Sequence, residues 1–212
     1  MSVVCLRHTA LVALGLMAVT VMAPSARAQT AATSIKIGVL SDMSSLYADT
    51  SGPGSVVAAR LAVEDFNAGS KGMKVEVVGG DHQNKADVGA SIVRLWYDQE
   101  SVDVIVDVPN SAVALAVGDI SRDKNKVMLN SGAGTSDLTG PKCSPNTIHW
   151  SYDTWMLANG TGKAIVKQGG DSWFFLTADY AFGHSLERDT MAVVNKEGGK
   201  VLGNVRVPLN TH

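Results

Sequence analysis

The sequence predicts an α/β protein whose parallel sheets are flanked by helices. Three observations lead there. Short β-rich runs alternate with helix-length amphipathic segments from residue 35 onward. Each pair of successive β runs is joined by a segment long enough for a crossover, the connection that parallel strands require. Polar, Gly-containing loops follow the β runs, where open parallel sheets place their ligands.

The elements follow in order. Residues 35–40 (IKIGVL) form the first strand, ended by the polar loop 41–54. In 55–68, Val56, Ala59, Val63 and Phe66 are spaced to share one helical face. Residues 74–78 (KVEVV) are a strand stopped by Gly79-Gly80-Asp81. Segment 86–100 sets Val88, Ile92, Leu95 and Trp96 along a second helical stripe, and 102–108 (VDVIVDV) is a strand ended by Pro109. A third helix over 111–123, a strand over 126–130 and a short strand over 147–150 complete this part. The alternation then restarts with a helix over 153–168, a strand over 173–177, a helix over 183–196 and a strand over 200–207. The break near 149–153 divides the chain into a first lobe, 29–149, and a second, 150–212.

The first 28 residues have a different purpose. Arg7 and His8 precede an apolar run over 9–23, Pro24 breaks it, and Ala26-Arg27-Ala28 offers small residues at a cleavage site. That pattern defines a secretory signal, too short to span a bilayer, with cleavage expected after Ala28. Cys5 is not at a lipoprotein-type cleavage position and leaves with the signal. Cys143 then has no intramolecular partner and is expected to be a small semi-buried residue.

Composition excludes several classes. With 18 Lys+Arg against 20 Asp+Glu and a formal charge of −2, nothing favours nucleic acid or an anionic membrane as partner. At 45% hydrophobic and 18% charged the chain is globular, and two cysteines cannot build a disulfide framework. No cofactor, metal site or enzyme activity is expected. Ser131-Gly-Ala-Gly-Thr-Ser136 lacks the third spaced Gly of a dinucleotide loop, and no nucleophile elbow or Walker-type loop occurs. His82, His149, His184 and His212 are scattered, which suits surface or satisfied polar residues better than ligands. Glu64 and Asp65 read as a solvated face, and Asp81 as a turn former. The loops 41–54, 109–111, 131–140 and 178–183 carry short hydroxyl and amide side chains with a few aromatics. Helix starts at such loops present N–H groups suited to a carboxylate.

In their order and spacing, the strings IKIGVLSDMSSLYAD, GSVVAARLAVEDFNA, GGDHQNKADVGASIVRLWYDQESVDVIVDVPNSAVALAV, LNSGAGTSDLTG, WSYDT and DYAFG resemble the N-terminal part of type I periplasmic solute-binding proteins. The class is that of the branched-chain amino acid (Leu/Ile/Val) ABC transporters, and SGAGTSDLTG and DYAFG look most like its aromatic-acid-binding subgroup. The resemblance implies two α/β lobes closing on a ligand, no catalysis, and a monomer in the periplasm that delivers a small carboxylate to ABC permease subunits of the inner membrane. By matching position it implies that Ser111 binds the ligand carboxylate, with Asn110 tuning the same corner. Ser131, Gly132, Ala133, Gly134 and Thr135 supply backbone groups and hydroxyls, Tyr47 covers the ligand, and Tyr180 and Phe182 close from the second lobe. Trp150, Tyr152 and Asp153 flank the hinge, Tyr152 as a contact and Trp150 mainly as packing. Because such proteins continue for well over a hundred further residues, the chain is expected to be a truncated form with an incomplete second lobe, exposed apolar faces and impaired function. Two alternatives remain open: a ligand-sensing receptor module of the same fold, and a secreted α/β hydrolase.

Overall fold

A computed structural model describes residues 33–209. The expected signal (1–28), with Cys5, and His212 lie outside the described residues. Five strands form one parallel sheet: β1 (Thr33–Ser41), β2 (Met73–Asp81), β3 (Val104–Asp107), β4 (Val127–Asn130) and β5 (Thr147–His149), in the order β2-β1-β3-β4-β5. The crossovers are α1 (Gly52–Phe66), α2 (Ala86–Asp98) and α3 (Ser111–Asp123). A second, two-stranded parallel sheet pairs β6 (Ser172–Ala178) with β7 (Lys200–Val207). Three further helices accompany it: α4 (Thr154–Leu157), α5 (Lys163–Lys167) and α6 (Ala181–Lys196). The parallel α/β architecture is the one the alternation predicts.

The core lies between the sheet and α2–α3. Leu40, Ile105 and Met128 meet Val93, Trp96 and Tyr97 of α2 and Val113 and Val117 of α3, and all are buried. Each such apolar side chain contributes about 1.5–3 kcal/mol. Trp96 fits because the strands beneath it lack side chains: a Cβ at Gly38 or Gly80 would stand 2.6 or 2.7 Å from its ring.

Several expectations need correction. The buried face of α2 is Gly89, Ala90, Val93, Trp96 and Tyr97, while Leu95 of the expected stripe is exposed. A Cβ at Gly89 would fall 2.6 Å from Val113, so the small residues face α3 and the apolar stripe is turned off axis. On α1, Val56, Ala59 and Val63 are half-buried and Phe66 is exposed, with the Lys71 ammonium 4.6 Å from its ring centre. The expected helix over 153–168 is interrupted by a π-helical turn, Ala158–Gly162. Its Asn-Gly-Thr-Gly core has low helix propensity. Cys143 is exposed, and Trp150, expected to pack at the hinge, is 81% exposed. Apolar side chains are bare on both sheets: Leu129 and Ile148 on the first, Phe174, Leu176 and Leu202 on the second.

Candidate functional site

The carboxyl ends of β1, β3 and β4 deliver three loops to one place, and the start of α6 meets them. Between them lies a cavity of about 470 Å³ lined by Tyr47, Ser111, Ser131, Gly132, Gly134, Tyr152, Tyr180 and Phe182, together with Thr50, Ser51 and Pro109. Most of the residues singled out in the sequence are thus brought together. Asn110, Ala133 and Thr135 are not on the lining; they are buried behind it.

The corner at α3 is built by an irregular backbone. Asp107 and Val108 both adopt positive φ, 79° and 57°, a strained choice for a β-branched residue. Asn130 Nδ2 donates to the carbonyls of both residues, at 3.2 and 3.0 Å, which braces the kink; the Asp107 carbonyl also accepts from Ser131 N at 3.2 Å. Pro109 follows, and Asn110 caps α3: its Oδ1 accepts from the amides of Ala112 at 2.8 Å and Val113 at 3.2 Å. Ser111 Oγ accepts from the Thr135 amide at 3.2 Å. A hydroxyl that accepts one bond keeps its own proton to donate, and Ser111, though only 1% exposed, is part of the cavity lining. The Thr135 hydroxyl faces away from the site, 2.6 Å from Ser185 Oγ of α6, and Ala133 O pairs with His149 Nε2 at 2.7 Å. These two residues support the loop from behind.

The aromatic side is held as firmly. Asp42, fully buried, accepts from Ser45 N (2.9 Å), Ser45 Oγ (2.6 Å) and Tyr47 N (2.8 Å), which fixes the loop carrying Tyr47. Burial works to raise its pKa, but these hydrogen bonds outweigh that and hold the carboxyl below its ordinary value. The Tyr47 phenol lies 2.9 Å from that of Tyr180, across the cavity. Burial, reinforced by the hydrogen bond with Tyr47 and by Tyr152 nearby, pushes the Tyr180 phenol far up, so it stays protonated. One phenol donates to the other and the second proton is free for an acceptor. Tyr180 and Phe182 rings sit 6.1 Å apart at 40°, next to Tyr152 across Gly134. Asp153, placed at the hinge by the resemblance, caps α4 instead of lining the cavity, accepting from Met156 N at 2.7 Å.

Sequence reasoning missed the supports: Asp42, Asn84, Asn130 and His82. Expected to be a surface or satisfied residue, His82 is fully buried, with Nδ1 accepting from Asn84 N at 3.0 Å and Nε2 unpaired. Burial lowers its pKa despite the carboxylates of Asp42, Asp81 and Asp107, so the ring is neutral. Among the described residues no group of three His, Cys, Asp or Glu could hold a metal, and no helix is long and apolar enough to cross a membrane.

A cavity between two parallel-sheet units, lined by hydroxyls at a helix start and by aromatics, has the form of a small-molecule site. The chain belongs to the periplasmic binding protein family, whose model matches residues 34–212. No curated protein matches it. Among solved structures, a periplasmic binding protein from Burkholderia mallei is 53% identical with a TM-score of 0.82, over 85% of this chain and 48% of that one. A branched-chain amino acid ABC transporter periplasmic ligand-binding protein from Burkholderia xenovorans is 37% identical (TM-score 0.69; 84% and 47%). An ABC-transporter solute-binding protein from R. palustris, in complex with 4-hydroxybenzoate, is 25% identical (TM-score 0.71; 84% and 48%). The chain spans about half the length of these relatives, which are solute-binding proteins and not enzymes.

Proposed function

We propose that the chain carries the first-lobe half of a solute receptor for an ABC importer, which captures a small carboxylate in the cavity between Tyr47, Ser111 and Phe182. The first lobe is residues 29–149 and the second begins at 150. Export to the periplasm follows from the N-terminal signal and cleavage after Ala28, and the receiving partner is the membrane permease. The observation that carries this reading is the lining itself. Among the described residues it holds Ser111 with a proton to donate, further hydroxyls, four aromatic rings and no charged side chain. A carboxylate meets neutral donors at the start of α3, where the helix dipole favours negative charge, and a flat apolar body meets the rings. That fits an aromatic acid well, and a binder of 4-hydroxybenzoate is among the structural relatives.

Thermal shift with benzoate, 4-hydroxybenzoate, leucine and glucose tests it. At least one carboxylate raises the melting temperature and glucose does not, and Ser111→Ala removes the shift. Stabilisation by glucose alone, or a shift indifferent to Ser111→Ala, overturns the proposal.

A further inference from the structure

Behind the cavity, a chain of hydrogen bonds through buried and half-buried polar groups joins the end of the sheet to the start of α3. The His82 amide donates to Ser41 O at 2.9 Å, at the end of β1. The neutral His82 ring accepts from the Asn84 amide at 3.0 Å. Asn84 Oδ1 in turn accepts from Asn110 Nδ2 at 2.8 Å. Asn110, only 3% exposed, spends its other end on Ala112 and Val113. Its orientation is thereby determined: a flipped amide would set its NH₂ against two amide donors and its oxygen against Asn84 Oδ1. Gln83 and Asn84 hold positive φ, 52° and 57°, to bring the Asn84 side chain to this position. Neither His82 nor Asn84 lines the cavity.

We infer that Asn84 is a positioning residue: through Asn110 it fixes the first turn of α3 and so aims the Ser111 hydroxyl at the ligand. The ligand part rests on the proposed function; the fixing of the helix start does not. An aspartate at 84 keeps the acceptor that Asn110 needs, and an alanine removes it.

The test is amide hydrogen exchange of the full chain, read at Ala112 and Val113. Asn84→Ala speeds their exchange about three- to tenfold, the effect of one hydrogen bond, while Asn84→Asp stays within about twofold of the parent. Asn110→Ala speeds it at least as much, and the double variant no further, because Asn84 acts through Asn110. Unchanged exchange in Asn84→Ala, additive exchange in the double variant, or a uniform rise across α2 and β2 as well overturns the inference. In parallel, the benzoate dissociation constant rises about three- to tenfold in Asn84→Ala. Faster exchange with unchanged benzoate affinity overturns the link to Ser111. If the parent binds neither benzoate nor any other carboxylate of the panel, the proposed function falls, and exchange alone still decides whether Asn84 fixes the helix.

Discussion

The phenol pair across the cavity gives the most direct measure of how the two sheet units are held together. Tyr47 is on the loop after β1 and Tyr180 is at the start of α6, so their 2.9 Å hydrogen bond joins the two sides. Both groups are partly buried, and a hydrogen bond of this kind contributes about 1 kcal/mol net. Tyr47→Phe leaves the Tyr180 hydroxyl without its partner, and Tyr180→Phe does the reverse. Each variant is expected to lose about 1 kcal/mol of unfolding free energy, which lowers the melting temperature by about 2–4 °C for a domain of this size. The double variant loses the bond only once. Its loss is expected to stay near 1 kcal/mol, a coupling of about 1 kcal/mol. Urea unfolding followed by tryptophan fluorescence, with calorimetry as a second probe, measures the cycle. Additive single losses, with coupling below about 0.3 kcal/mol, refute the bridge.

Two other perturbations follow from the same geometry. Glu187 of α6 is 6% exposed and held at about 2 by its hydrogen bond to Arg206, against burial and with help from Thr177 and Asn204. A depressed carboxyl stabilises the fold above its unfolded value and loses that contribution as pH falls. Stability should therefore decline between about pH 4.5 and 2, and Glu187→Gln should flatten the decline in circular dichroism melts; an unaltered pH profile counts against it. Gly134 has its missing Cβ 2.8 Å from both Phe182 and Tyr152, whereas that of Gly132 would lie 2.6 Å from the Pro109 backbone. Gly134→Ala should push cavity rings aside and weaken benzoate binding with a modest loss of stability. Gly132→Ala, which meets rigid backbone, should cost about 1–3 kcal/mol in unfolding; equal effects on stability would refute the distinction.

What the sequence shows and what it hides have physical reasons. The helix Ser111–Asp123 and the strand Lys200–Val207 are legible to the residue, because a proline-marked loop and a glycine pair bracket them. That the loops at Tyr47, Ser111 and Ser131 come together around one cavity is legible because they follow neighbouring strand ends of one parallel sheet. The α2 face is misread in part because its first turns pack through Gly89 and Ala90, which carry almost no hydrophobic signal, while Trp96 of the expected stripe is buried. The break at Ala158–Gly162 is missed because the flanking apolar periodicity runs on through it. The supports are the hardest to see. Asp42 and Asn84 look like loop residues in the sequence and Asn130 like a plain strand end, and only their hydrogen bonds show which backbone each one holds.

Those supports bear on how the proposed site would accept an anion in a chain with a formal charge of −2. A buried arginine in the cavity would attract a carboxylate strongly, but its desolvation would offset much of the gain and slow release. Here the charges stand one step back. Asp42 spends its oxygens on Ser45 and Tyr47, and Asp107 contacts Ser131 at 3.4 Å, so each carboxylate holds a loop and neither lines the cavity. A carboxylate bound as proposed would meet dipoles that the fold already holds in place: Ser111 by Thr135 and the helix start by Asn110. Fixed dipoles need little reorganisation to receive charge, and neutral donors are dried at lower cost than ions. A receptor of the proposed kind, which would both capture and release its cargo, gains from that combination, since its affinity would depend on aim more than on opposed charge. The strained Asp107–Val108 backbone and the buried asparagines are the structural cost of that aim.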